Sequence, residues 1–239
     1  MKIKSKTILI LLIAISLFAL ASTSFAGWNR GGSTQGIRSG LIVSQLYQQD
    51  LSEEETNALL KMREEEKLAR DVYTYLYELY NAQVFKNIAA SEQRHMDTIA
   101  RLITQYGLND PVAGLDYGEF ASSEMQELYT TLTTMGATDL AKAYQVGATI
   151  EDLDIKDLED LLEVVDNTDI KFAFQNLMKG SRNHLRAFTT QLKNLGQSYT
   201  AQYLSQEEVD NIISTPWERG AVDENGNPIS RGRGFRGRR

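Results

Sequence analysis

Residues 52–81, SEEETNALLKMREEEKLARDVYTYLYELYN, decide the fold. Ser52 followed by Glu53, Glu54 and Glu55 is a helix start. The serine hydroxyl caps, Glu55 stands three residues on as in a capping box, and the acids suit the positive end of the helix dipole. Stepping by three and then four residues from Leu59 gives Leu59, Met62, Glu66, Ala69, Tyr73, Leu76 and Tyr80. This is an inward seam that predicts a helix to near Asn81, broken once by a carboxylate. Glu64 reads as part of an exposed acidic run. A seam through Glu65 would have to include Lys61, so Glu66 is the carboxylate expected to point inward.

The same count applied onward finds three more long helices. One, from about Val84 to Tyr106 and closed by Gly107, has the seam Phe85, Ile88, Glu92, His95, Ile99, Leu102 and Tyr106. Pro111, Gly114 and Gly118 mark residues 108–121 as a crossover loop, followed by a short helix from Ser122 to Met135 that Gly136 stops. Thr138 is expected to cap a long helix to Val165 with the seam Leu140, Tyr144, Gly147, Glu151, Asp154, Leu158, Leu161 and Val165, unless Asp154 caps a new helix at Ile155. Thr168 is expected to cap the last, with the seam Phe174, Leu177, Ser181, His184, Phe188, Gln191 and Leu195. A short helix over Ser205–Ile213 and a disordered tail from Pro216 complete the chain.

Each long helix therefore interrupts its apolar seam about midway: Glu66; Glu92 with His95; Glu151 with Asp154; Ser181 with His184. Burying a lone carboxylate is very costly unless it is paired or bound to a metal. Two divalent ions carry the four positive charges that balance four carboxylates. The chain's two histidines both fall in these seams, each three residues after a polar seam residue. The spacings Glu66 to His95 (29 residues) and Glu151 to His184 (33 residues) suggest a diverged duplication of one helical hairpin. Gly147 and Gly180 sit inside helices, where glycine costs about 1 kcal/mol relative to alanine, so close approach of a neighbour is the expected reason unless either marks a helix break.

This arrangement resembles the ferritin-like superfamily, whose bundles carry a Glu on two helices and Glu-x-x-His on the other two. More closely, Arg63–Tyr73 (REEEKLARDVY), Ser91–Met96 (SEQRHM) and Gly180–Phe188 (GSRNHLRAF) resemble the bacterial domain-of-unknown-function family DUF2202. The resemblance implies an all-α, antiparallel four-helix bundle over residues 51–196, with a crossover between two helical hairpins. It also implies metal ligation by Glu66, Glu92, His95, Glu151 and His184, and places Tyr73 beside the site as a candidate catalytic tyrosine. Ser181 departs from the pattern, standing where the fourth helix would carry a glutamate. Asp154 is the residue expected to compensate.

Cysteine is absent, which excludes disulfides, zinc–thiolate sites, iron–sulfur clusters and cysteine nucleophiles. Residues 1–26 read as a cleaved signal peptide: Lys2, Lys4 and Lys6, an apolar run from Thr7 to Ala21, and Ser24-Phe25-Ala26 before the cut. That run is shorter than the roughly twenty residues a membrane span needs. A periplasmic or secreted protein is expected, with residues 27–50 a glycine-rich flexible leader, 197–215 an extension and 216–239 an Arg/Gly-rich tail. Setting aside the three signal lysines and the five arginines of residues 231–239 turns the formal charge of −7 into −15 for the body. So acidic a body argues against nucleic acid as main partner. The basic tail suits an anionic envelope surface or the acidic body itself, and a homodimer is compatible with these features.

The expected function is that of a metal-binding protein whose two iron ions, or iron with manganese, react with dioxygen or peroxide or oxidise ferrous ions. The chain has no rubredoxin-type centre, so turnover calls for an external electron donor. The alternative is a non-catalytic envelope module whose site is vestigial or sequesters metal.

Overall fold

A computed structural model describes residues 49–229, and the expected signal peptide, most of the leader and the Arg/Gly run from residue 230 lie outside these. The described chain is all-α. Its helices are α1 (Glu53–Tyr80), α2 (Gln83–Gln105), α3 (Ser123–Gly136), α4 (Leu140–Val164), α5 (Thr168–Asn194) and α6 (Gln206–Ser214). One isolated β-bridge, Val222 with Pro228, is the sole β pairing among the described residues. None of the described helices is long and apolar enough to cross a membrane.

The start of α1 is the expected capping box: Ser52 Oγ accepts from the Glu55 amide at 3.1 Å, and Glu55 Oε2 accepts from the Ser52 amide at 3.0 Å. The other oxygen of Glu55 accepts from the amides of Asp166 (3.0 Å) and Asn167 (2.8 Å), just ahead of α5. One buried carboxylate thus satisfies donors at two helix starts, which an isolated sequence window cannot reveal. It also corrects the expected Thr168 cap, because Thr168 is already the first residue of α5 and Asn167 precedes it. Likewise α4 is capped by Asp139, not Thr138: its carboxylate accepts from the Lys142 amide at 2.8 Å. Helix α4 runs unbroken through Asp154.

Asn81, in the left-handed region at φ 51°, closes α1 and turns the chain into α2. Helices α1 and α2 form one hairpin, α4 and α5 the other. Across them α1 meets α4 and α2 meets α5, while α3 spans α1 and α4. The link before α3 is fixed by two cations of α1. Arg63 forks onto Asp110 (3.1 and 2.9 Å) and the Met96 carbonyl (2.9 Å). Lys67, fully buried, reaches Asp71 at 2.5 Å and the Asp116 carbonyl at 2.9 Å, with its ammonium 4.6 Å from the Phe120 ring centre. Asp71 also receives Arg70 and the Gly118 amide, which completes the pairing that a buried charge requires.

The core runs along all four seams. Toward the end where α1 turns into α2, Tyr73, Phe85, Tyr144 and Phe188 form an aromatic cluster, with ring centres 5.2 Å apart for Tyr73 and Phe188 and 5.4 Å for Phe85 and Tyr144. Phe188 lies against Gly147, where an added Cβ would come within 2.6 Å of the ring, so the glycine is explained by close packing. At the end of α5 the expected seam residue Leu195 is exposed and Leu192 is buried in its place.

Residues 216–229 correct the expectation of a disordered tail beginning at Pro216. The segment lies along α5: Glu218 pairs with Arg182 and Arg186, Asn176 exchanges hydrogen bonds with the backbone of Val222, and Lys179 donates to the Gly220 carbonyl. Upstream, buried Asp152 accepts from Tyr199 Oη at 2.7 Å and from the amides of Gln202, Tyr203 and Leu204, pinning the extension to α4. The sequence signal for disorder, Pro216 and scattered glycines, is local, whereas these partners are far away in the chain.

Candidate metal centre

The seam interruptions converge at the middle of the helices. Two groups of ligand atoms lie within 4.8 Å of one another: Glu66, Glu92 and His95, and Glu92, Glu151 and His184. Glu92 is common to both, and its two oxygens divide between the imidazoles. Oε2 lies 2.7 Å from His95 Nδ1, and Oε1 lies 2.8 Å from His184 Nδ1. Glu66 Oε2 is 3.2 Å from His95 Nδ1, and Glu151 Oε2 is 3.4 Å from His184 Nδ1. The two imidazoles stack with ring centres 5.7 Å apart.

Several of these close atoms do not satisfy one another. His184 Nδ1, Glu92 Oε1 and Glu66 Oε1 are buried and lack a hydrogen bond, although Glu92 Oε1 and His184 Nδ1 are only 2.8 Å apart. At that separation the missing bond is a matter of angle: donor and acceptor do not point at each other. Ligands held about 2.1 Å from a common octahedral ion stand roughly 3.0 Å apart, close to the spacings here. The donor set and its orphaned atoms therefore fit metal ions, one in each group with Glu92 between them.

Electrostatics agree. Burial raises Glu66 to about 8 despite His95 beside it. Burial also raises Glu151. Glu92 is held well below the usual carboxylate range, because the two histidines outweigh its burial. Burial alone would lower both histidines, yet the carboxylates reverse this: Glu66 and Glu92 raise His95, and Glu92 with Glu151 lift His184 to about 10. Without metal the cluster retains protons where cations would sit.

Five of the six expected ligands thus come together, and Asp154 falls outside both groups. It accepts a short hydrogen bond from Ser181 Oγ, and its own burial, reinforced by Glu66 and Glu151, raises its pKa well above normal. The serine in the place of a glutamate is occupied in holding this neighbour. Tyr73 is fully buried and donates to Glu151 Oε1 at 2.5 Å, with the Gly147 carbonyl at 3.3 Å. Gly180 faces His95, where a Cβ would stand 2.7 Å from ring atoms Cε1 and Nε2. The glycine makes room for the imidazole.

The sequence reading missed Glu65. It is buried beside Glu66, within 3.5 Å of Lys61 Nζ, and Lys61 also reaches Asp157 at 2.8 Å. The lysine that counted against this seam is half-buried because it neutralises acids there. Glu65 lies on the wall of a cavity between α1, α3 and α4, lined by Leu68, Ala69, Leu128, Leu132, Ile150 and Leu153, together with Thr149 and Tyr203, and reaching Glu66, Glu92, Glu151 and Asp154.

Fold and site together define an all-α protein with a buried carboxylate–histidine cluster able to hold metal. Residues 55–216 match the family described as "Uncharacterized protein domain (DUF2202)", and the chain belongs to that family. It is 53% identical over 178 residues to the uncharacterized protein MJ0754 of Methanocaldococcus jannaschii, covering 74% of this chain and 96% of the relative. The crystal structure of the hypothetical protein MJ0754 superimposes with a TM-score of 0.70, covering 72% of this chain and 98% of that one.

Proposed function

We propose that this protein is a dinuclear metal protein on a ferritin-like four-helix bundle, acting in oxygen, peroxide or ferrous-iron redox chemistry. The observation that carries the proposal is Glu92, a single buried carboxylate whose two oxygens each face a different imidazole. Glu66 and His95 would complete one ion's protein ligands, Glu151 and His184 the other's. Two ferrous ions, or iron with manganese, would supply two electrons, enough to reduce one dioxygen to hydrogen peroxide or one hydrogen peroxide to two waters when two protons are added. The remaining residues hold this set in place. Tyr73 orients Glu151 through its hydroxyl, Gly180 leaves space for the His95 ring, and the aromatic cluster keeps water from one side. An external donor would restore the electrons. Export through a cleaved signal peptide belongs to the same proposal, resting on residues 1–26.

The test is metal content per chain after growth with iron and manganese, for the parent and for a His95→Ala, His184→Ala double variant. The expected result is two ions in the parent and none in the variant. A folded parent that takes up no metal would leave the second reading, a non-catalytic envelope module with a vestigial site. Its supporting observation is the engagement of Asp154 by Ser181, which leaves five donor residues instead of six.

A further inference from the structure

The cavity between α1, α3 and α4 stands apart from the imidazoles. Both histidines approach the cluster from α2 and α5, while the cavity meets it at the carboxylates. Six of its thirteen lining side chains are aliphatic, four of them on α3 and α4 (Leu128, Leu132, Ile150 and Leu153), and five are carboxylates. The space open to the centres of water-sized molecules is about 20 Å³, room for one or two of them. A ferrous ion travelling with its six waters does not fit a space of this size and would have to shed most of them before entering. Hydrogen peroxide fits by size but must exchange its hydration for hydrogen bonds to Thr149, Tyr203 and the acids. Apolar dioxygen has almost no hydration to give up and fits as it is.

We infer that this cavity is a binding chamber for dioxygen, with the crossover helix α3 as its outer wall, delivering the gas to the carboxylate face of the cluster. The inference rests on the dinuclear reading for its purpose, but not for its test. Helix α3 lies between the two long helices that carry Glu66 and Glu151, so it covers the groove that leads to them. Leu128, half-buried, and Leu132, buried deeper, are the α3 side chains on the cavity wall.

The experiment uses xenon as a probe of the chamber in crystals of the parent, Leu128→Trp and Leu132→Ala. The same three proteins, loaded with ferrous iron, are then mixed with limiting dioxygen. Xenon density is expected between α1, α3 and α4 in the parent, lost in Leu128→Trp and stronger in Leu132→Ala. With equal iron content, Leu128→Trp should consume dioxygen at least tenfold more slowly. Ordered water in place of xenon, xenon elsewhere, or an unaltered dioxygen rate in an equally loaded Leu128→Trp would overturn the chamber. Should Leu128→Trp fail to fold, xenon occupancy no higher in Leu132→Ala than in the parent overturns it equally. A parent that binds xenon there but no metal would refute the redox function and leave the chamber standing.

Discussion

Replacing Gly180 by alanine separates the stability of the helix from the integrity of the metal centre. In the interior of α5 alanine gains about 1 kcal/mol over glycine. The new methyl group would stand 2.7 Å from His95 Cε1 and Nε2, about 0.7 Å short of the 3.4 Å at which ordinary contact begins. The imidazole has somewhere to go, since the His95 side chain keeps 13% of its exposure. It should therefore swing outward, not unfold the helix, and lose about 1 kcal/mol of contact with Glu66 and Glu92. Metal-free stability should then stay within about 1 kcal/mol of the parent. A shift beyond the ~0.5 Å that a ligand set tolerates should weaken the ion shared by Glu66, Glu92 and His95 at least tenfold. Melting in a chelator and competitive metal titration read the two effects separately. Gly147→Ala is the control: its methyl would meet the Phe188 ring at 2.6 Å, so stability should fall by about 1–3 kcal/mol while both ions are retained. Parental affinity for both ions in Gly180→Ala would refute the placement of His95.

Glu92→Gln should abolish both ions together, where Glu66→Gln or Glu151→Gln abolishes one; metal counting by mass spectrometry of the native protein distinguishes these. Without metal the folded protein holds protons on Glu66 up to about 8 and on His184 up to about 10, above their ordinary 4.5 and 6.5. Both shifts have one sign: the folded state binds protons that the unfolded state has released, so metal-free stability should fall as pH rises between 7 and 10. Metal affinity should run the other way, rising about tenfold per pH unit for each proton displaced, as calorimetry in buffers of differing ionisation enthalpy would show. Asp71→Ala strands the buried Lys67 ammonium and should cost about 3–5 kcal/mol in urea unfolding, without changing metal content.

The long helices were legible because each carries a seam that a period of 3.6 exposes, and the carboxylate–histidine cluster because polar residues broke those seams midway. What escaped was whatever depends on partners distant in sequence. Glu55 looked like a local cap and also serves Asp166 and Asn167. Glu65 was set aside because Lys61 shared its seam, although the two neutralise each other. Asp154 occupied a ligand's seam position, and only the placement of Ser181 on the opposite helix shows where its carboxylate is tied. The glycines of α4 and α5 announced close contact without naming the neighbour, which is the Phe188 ring at one and the His95 ring at the other.

The two groups that share Glu92 carry the same donor types but are sheltered unequally. The group at His184 is backed by Glu151, which Tyr73 anchors, and the His184 side chain keeps 9% of its exposure against 13% for His95. Exchange of bound metal with the medium should then be lopsided: an isotope pulse would label the His95 berth first and the His184 berth only after a long residence. On the dinuclear reading proposed above, a cell with fluctuating iron and manganese would find the same chain carrying one enduring ion and one that tracks supply.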